Sequence, residues 1–298
     1  MYNSSILSLY TPDTFPLKEE YEEEYNRILQ NGKDYSSMQR VIITTMVRDV
    51  SKRLPEIKRK AEMLGKIFRD YRILIVENDS KDGTRGLLLD WASENNKVIV
   101  LGCGYNEDEC SIKNAPKTEG HTIDKTRIDK MSMLRNIYLQ EIKKTYYDWD
   151  YVIMWDLDLI GSIYLDGVIH SFGYLDENKL VDVVCAYGIY RWLYFKLFYD
   201  TYALIEKDDN FHINNKLLHD IKKRIEKSTM ERGQEPQEVE SCFSGFAIYR
   251  TSSLLGKDVF YDNSIDDNIE CEHYRLKKKI KGKKVINPSM INIVILND

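Results

Sequence analysis

Asp156 and Asp158 stand one residue apart, directly after an apolar run that begins at Tyr151. In an extended strand alternate residues point to the same side, so a strand continuing to 158 sets both carboxylates on one side. Two carboxylates closing a buried strand are costly to desolvate without a counter-ion, and Mn2+ or Mg2+ takes oxygen from carboxylates and phosphates together. The pair is therefore assigned to a divalent cation that carries a nucleotide diphosphate and offsets its charge as it leaves. The plain alternative is a turn after the strand that the two aspartates merely cap.

Three further groups have the right chemistry. Glu77, Asn78 and Asp79 follow Val76 and are able to accept hydrogen bonds from a base or ribose, while Ser80, Asp82 and Gly83 beside them are ordinary turn residues. Lys130 and Arg135 lie on one predicted helix, with Arg127 just before it, and all three suit a diphosphate, with solvated surface positions as the alternative. Glu270, Glu272 and His273 gather near a predicted helix start, preceded by Asp266 and Asp267. A glutamate there is able to deprotonate an acceptor hydroxyl and the histidine to ligate a metal. The alternative is an acidic helix N-terminus that stabilises its own dipole.

The elements that must position these groups read as an alternation of strands and helices. Arg40 opens a short apolar strand, and residues 51–68 carry a helix pattern with Leu54, Ile57, Ala61, Leu64 and Phe68 inward. A second buried strand, YRILIVEND, ends in three polar residues at Asp79, a helix follows from Asp82, and Lys97–Gly102 is a third strand. Strand, helix, strand, helix, strand in so short a span argues for a parallel sheet covered by helices, whose ligands bind at the carboxyl ends of its strands. Periodicity is lost from Gly102 to Thr126, a segment long enough to act as a substrate loop. A helix is predicted over Ile128–Thr145 with Met131, Leu134, Ile137, Tyr138 and Ile142 inward, and it feeds the strand that carries the aspartates. Later come a helical or turn region near 162–175, a strand over 181–187, charged helical pieces over 206–240, and an extended apolar end from Lys284.

Composition narrows the function classes. The 298 residues are 43% hydrophobic and 31% charged, which suits a folded protein with a sizeable core. A formal net charge of −5 with interspersed signs gives no basic stripe for nucleic acid. No G-x-G-x-x-G follows the first strand, which argues against a dinucleotide fold. Five cysteines without a CxxC pair argue against a zinc knuckle or dense disulfide scaffold; one disulfide is left open, and the odd count leans towards reduced thiols. The aromatic stretch Tyr187–Leu204 is interrupted by Arg191, Lys196 and Asp200 and fails as a membrane span, and no signal peptide is seen. The expected location is cytoplasmic or peripheral to a membrane.

The order of these motifs resembles the GT-A glycosyltransferases, and more closely the fungal capsule-associated α-1,3-mannosyltransferase-like family. The resemblance rests on TTMVRDV, ILIVENDSKDGT, LRN, the D-x-D strand, FYDTYAL, CFSGFAIYR and CEHYRL with INPSM, and covers roughly residues 40–292. It implies an α/β, GT-A-like Rossmannoid mixed sheet flanked by helices in a single catalytic domain. Residues 1–39 would be an N-terminal extension, 40–160 the nucleotide-sugar half, and 161–298 the acceptor half with a 206–240 insertion. By the same resemblance Thr45, Arg48, Glu77, Asn78, Asp79, Arg127, Arg135 and Asp156 contact the donor, and Ser244 and Gly245 form a loop that lets a sugar approach the backbone. Asp200 lies near sugar or acceptor, Glu272 or Glu270 supplies the acidic position, and Asp156, Asp158 and His273 hold Mn2+ or Mg2+. The implied activity is transfer of a sugar from a GDP- or UDP-linked donor to a glycan or other hydroxyl acceptor. A sugar nucleotidyltransferase and a catalytically silent carbohydrate-binding or scaffold protein are the alternatives. No nucleic-acid partner and no transmembrane segment are expected, and a homo-oligomer is left open.

Overall fold

The computed structural model describes residues 14–102, 125–192, 195–207, 216–262 and 270–295. The expected substrate loop lies, from 103 to 124, outside the described residues, as do Asp266 and Asp267. The chain forms two compact units. One comprises Gln39–Asp158 and Tyr249–Ile280; the other comprises the described parts of Met1–Met38, Leu159–Ile248 and Lys281–Asp298.

The first unit holds the strand-helix alternation. Strand β1 (Arg40–Val47) is buried at seven consecutive positions from Val41, the mark of a strand covered on both faces. It pairs in parallel with β2 (Asp70–Glu77) on one side and β4 (Tyr151–Trp155) on the other, and β2 pairs in parallel with β3 (Val98–Gly102). A 3-10 turn (Ser51–Arg53) leads into α2 (Leu54–Gly65), which has Pro55 in its first turn where no backbone donor is missed. The predicted inward face of Leu54, Ile57, Ala61, Leu64 and Phe68 is buried as expected. Helix α3 (Thr84–Glu94) buries Leu88 and Trp91. Helix α4 (Lys125–Thr145) packs against β2, β3 and β1. It buries Ile128, Leu134, Tyr138, Leu139 and Ile142, while Met131 and Ile137 are only half-buried. Three polar residues, Lys130, Ser132 and Arg135, are buried beside them. After β9 (Phe246–Arg250) the chain re-enters this unit through α7 (Thr251–Leu254), and α8 (Glu272–Lys277) packs against α4.

The second unit is built around β10 (Lys283–Ile295). It pairs in parallel with β6 (Val181–Trp192) and antiparallel with β5 (Ile160–Ile163) and β8 (Gln237–Val239), while β7 (Phe195–Phe198) pairs antiparallel with β6. Pro288 falls where the β10 register shifts between Asn287 and Ile291, one of the few places a strand tolerates a residue without a backbone donor. Strand β6 runs five residues beyond the predicted end, because its aromatic tail pairs with β7. Helix α6 (Lys216–Lys227) supplies the charged piece of the 206–240 region. Cys185 and Cys242 are disulfide-bonded with Cα atoms 5.9 Å apart, against the expectation of reduced thiols. Their separation of 57 residues leaves no local sign of the pairing. No helix among the described residues is long and apolar enough to cross a membrane.

Helix α1 (Glu19–Ser36) lies against α5 (Leu165–Glu177), with Tyr25 donating to Asp166 Oδ2 at 3.0 Å. Two glycines let the helices approach. A Cβ at Gly32 would sit 2.0 Å from the Ile169 carbonyl oxygen, and one at Gly173 would sit 2.2 Å from that of Ile28. Both obstacles are backbone, so neither is able to rotate away. Gly173→Val is therefore expected to destabilise the protein by about 3 kcal/mol, the upper range for overpacking. Urea unfolding followed by circular dichroism checks this, and an unchanged midpoint would mean that the α1–α5 contact is not part of the native core.

Candidate functional site

The exits of β1, β2 and β4 carry Arg48, Glu77, Asn78, Asp79, Asp156 and Asp158 of the residues singled out from sequence. Strand β4 ends at Trp155, so Asp156 and Asp158 lie in a turn rather than on a continued strand. The Leu157 N–H donates to the Trp155 carbonyl at 3.0 Å and to Thr45 Oγ1 at 3.4 Å. Thr45 thus supports the backbone between the two aspartates from beneath and is itself buried. Arg53, which sequence analysis did not single out, donates from Nη1 to the Asp158 carbonyl at 2.5 Å. No spacing rule points to it; it arrives because the turn after β1 lies beside the exit of β4.

Arg135 is the hub of this site. It is buried on α4, not in solvent, and donates from Nη2 to Asp156 Oδ1 at 3.3 Å and from Nε to Glu272 Oε1 at 3.2 Å. Its Nη1 reaches the Tyr138 hydroxyl at 3.4 Å, and Tyr138 lies 3.4 Å from the Tyr261 hydroxyl. Asn136 clamps the segment that carries Tyr261, with its amide donating to the Tyr261 carbonyl at 2.8 Å and accepting from the Tyr261 N–H at 2.9 Å. Glu272 further accepts from the Cys271 thiol at 3.6 Å. His273 Nε2 lies 3.7 Å from the same carboxylate, and burial, followed by the charges of Arg135 and Lys277, holds its pKa well below the usual range. Its imidazole is therefore neutral. Burial raises the Asp156 carboxyl, with Glu272 adding to the shift and Arg135 and Arg127 opposing it. Asp158 reaches solvent at the rim, yet the protein crowded around its carboxyl and the charge of Asp156 push it up to about 7.

The β2 exit is laced to the β1 exit. Glu77 is fully buried, accepting the Ser80 N–H at 2.6 Å and pairing with Arg85 Nε at 3.2 Å. Asp79, at φ 53°, pairs with Lys81 at 3.1 Å and Arg85 at 3.5 Å. Ser80 Oγ accepts the Asp49 N–H, Asp82 accepts the Ser51 N–H and Thr84 Oγ1 accepts the Val50 N–H, all within 3.0 Å. The turn residues of this loop thus shape the β1 exit as well as their own. Asn78 Oδ1 is buried and accepts no hydrogen bond among the described residues. Arg48 is partly exposed and lies 3.4 Å from Asp49.

Two further predicted groups have partners of their own. Glu270 turns to Lys278 Nζ at 3.0 Å, at the surface. In the second unit, Asp200 Oδ2 accepts the Ser244 N–H at 3.0 Å and Asn292 donates to the Ser244 carbonyl at 2.7 Å. Asp200, Ser244 and Gly245 all have positive φ, at 68°, 57° and 76°. A side chain on Gly245 would meet Asn292 Nδ2 at 2.9 Å, so the loop needs glycine there. Asn292, like Arg53, was not singled out from sequence.

Among the described residues no three His, Cys, Asp or Glu side chains gather as a ready metal-ligand set. Asp156 and Asp158 do fit a cation that takes one or two protein carboxylates and completes its shell with phosphate and water. Both carboxyls are pushed towards protonation, the sign of a missing positive charge.

Fold and site define an α/β protein whose parallel strands end in carboxylates backed by guanidinium groups. The profile of the family described as Cryptococcal mannosyltransferase 1 matches residues 40–278, and the chain belongs to that family of glycosyltransferases. No curated protein matches it. Among solved structures it is similar to S. aureus TarS 1-349 in complex with UDP-GlcNAc, with 14% identity and a TM-score of 0.49 over 88% of this chain and 59% of that one. It is also similar to mannosyltransferase PcManGT from Pyrobaculum calidifontis in complex with GDP-Man and Mn2+, with 11% identity and a TM-score of 0.48 over 92% of this chain and 65% of that one. The chain thus spans less than two thirds of the length of either.

Removing the Arg135 charge leaves Asp156 and Glu272 without their shared partner. Arg135→Met is expected to cost about 3–5 kcal/mol, the usual penalty for breaking a buried ion pair from one side. Chemical denaturation checks this; a loss under about 1 kcal/mol would show the pairs to be dispensable for the fold.

Proposed function

We propose that the chain transfers a sugar from a nucleotide-diphosphate donor to a hydroxyl of a glycan or other acceptor, using Mn2+ or Mg2+ held by Asp156 and Asp158. The observation that carries this reading is the pair of charge-frustrated aspartates at the β4 exit, set against a buried arginine, in a chain of a glycosyltransferase family. The family's description points to mannose as the first sugar to test.

A bound divalent cation would supply positive charge to the diphosphate as it leaves. The protein's own residues do the rest. Arg127, whose charge is felt at Asp156, would donate to diphosphate oxygens, with the buried Arg135 adding positive charge from behind Asp156, and such fixed donors stabilise the charge that builds on the leaving group. Asn78 Oδ1 is free to accept from the base or ribose. In the transfer, an acceptor oxygen bonds to the anomeric carbon as the bond from that carbon to the diphosphate breaks. The hydroxyl proton then goes to a base or to the departing phosphate. Glu272 is already engaged by Arg135 and Cys271, which suits orienting Arg135 better than removing a proton, whereas surface-paired Glu270 is freer to do so.

The first test is nucleotide release from GDP- and UDP-linked sugars in the presence of Mn2+. Release from one donor is expected, lost on chelation and reduced by about two orders of magnitude in Asp158→Ala. Pyrophosphate release from GTP or UTP supplied with a sugar 1-phosphate, without nucleotide release from the linked sugars, would point to a nucleotidyltransferase, and failure of the folded, Mn2+-supplied protein to bind any donor would sink the proposal.

The raised Asp158 pKa gives a second test. Below about 7 a cation must displace the proton, so affinity should climb with pH and then level off. In metal-free protein the sign is opposite. The same group contributes stability that is fully present at low pH, falls as pH rises from the ordinary carboxylate range, and is lost above about 7. The increase in melting temperature caused by Mn2+ is thus expected to grow from about pH 5.5 to about pH 7.5, and to lose this dependence in Asp158→Asn. Melting curves with and without chelator read both, and a pH-independent Mn2+ effect would remove Asp158 from the site.

A further inference from the structure

Several charges at the exits of β1 and β2 are paired. Arg48 lies against Asp49, Arg85 against Glu77, and Lys81 against Asp79. Lys130 differs from these. It is 8% exposed on α4, the helix that packs against β1, β2 and β3, and its ammonium makes no ion pair and no hydrogen bond among the described residues. The charges of Arg48 and Asp79 both reach it, which places it at these exits. Asp79 is the carboxylate it would otherwise use, and Lys81 and Arg85 already occupy that group. The aliphatic stem of Lys130 is buried along α4, and an unpaired ammonium held at a strand exit is available to a ligand that supplies the anion.

A second unsatisfied group lies at the same exits. Asn78 Oδ1, one residue past Glu77, is a buried acceptor with no donor among the described residues. The backbone holds it in place, since the Asn78 N–H donates to the Val47 carbonyl at 3.0 Å and Val47 pairs with Glu77 in the strand register. A ligand that satisfies both groups carries an anion and, close by, an N–H or O–H donor. A nucleoside monophosphate unit has this arrangement.

We propose that Lys130 binds the phosphate nearest the nucleoside of the donor, and does so without the divalent cation. This deepens the glycosyltransferase reading and rests on it. Helix α4 then serves the donor along two edges. Arg135 works with the aspartates at the β4 exit, and Lys130 holds the nucleoside end beside β1 and β2. The nucleotide's first attachment is made by protein alone, and the cation adds its grip on the far phosphate.

The test is calorimetric titration with GMP, UMP, GDP, UDP and the bare nucleosides, each in chelator and in Mn2+. Wild type is expected to bind one monophosphate in chelator. Lys130→Met and Lys130→Gln should weaken its mono- and diphosphate about tenfold in both conditions, the loss of one charge-assisted hydrogen bond, and leave the nucleoside unchanged. Asp158→Asn should lose only the increment that Mn2+ adds for the diphosphate. Both Lys130 variants remove an unpaired charge and keep most of the buried stem, so wild-type melting temperatures are expected and exclude unfolding as the cause. Wild-type affinity in both variants, or weakening confined to Mn2+, overturns the role of Lys130 and leaves the glycosyltransferase reading intact. Absence of any nucleotide binding by wild type overturns both.

Discussion

A guanidinium buried between two carboxylates organises the first unit. Arg135 loses its hydration on α4 and recovers it through Asp156 and Glu272, which come from a strand exit and from the start of α8. Each partner depends on the others, because a buried charge is tolerable only when paired and hydrogen-bonded. Around it the hydroxyls of Tyr138 and Tyr261 and the Asn136 clamp fix where α4 lies against the chain after β9. The same guanidinium limits how strongly Asp156 is pushed towards protonation, so the fold and the chemistry of the strand exit share one residue.

That economy extends to the loops. Ser80, Asp82 and Thr84 look from composition like the residues of any turn, and they are; yet their side chains satisfy backbone donors of the neighbouring β1 exit. Satisfying them this way stiffens two adjacent exits together, and leaves Asn78 and Lys130 as the groups there whose capacity is unspent. A preorganised site has such a division of labour, with most polar groups fixing geometry and a few held for the ligand.

The second unit solves a different problem. Asp200, Ser244 and Gly245 hold left-handed backbone that two side chains, Asp200 and Asn292, tie down by hydrogen bonds. Strain of this kind persists only where the surroundings over-determine it. Helices α1 and α5 are held at backbone contact by Gly32 and Gly173. Residues 14–38, which precede the family match, therefore share a packed core with the rest of their unit.

By itself the sequence determined what depends on near neighbours. Alternating apolar runs set β1, α2, β2, α3 and β3, the α2 core face came out residue by residue, and the carboxylate pair was located at the end of a buried strand. These follow from side-chain period and turn chemistry, which act over a few residues. The tertiary structure decided what depends on convergence of distant segments. It stopped β4 at Trp155, joined Cys185 to Cys242 across 57 residues, and paired Arg135 with a glutamate 137 residues away instead of leaving it in solvent. It brought Arg53 to the Asp158 carbonyl and left Lys130 without an ion pair among the described residues. No local pattern encodes such outcomes, because whether a charged side chain is paired, buried or exposed depends on which strand exits and helices meet around it.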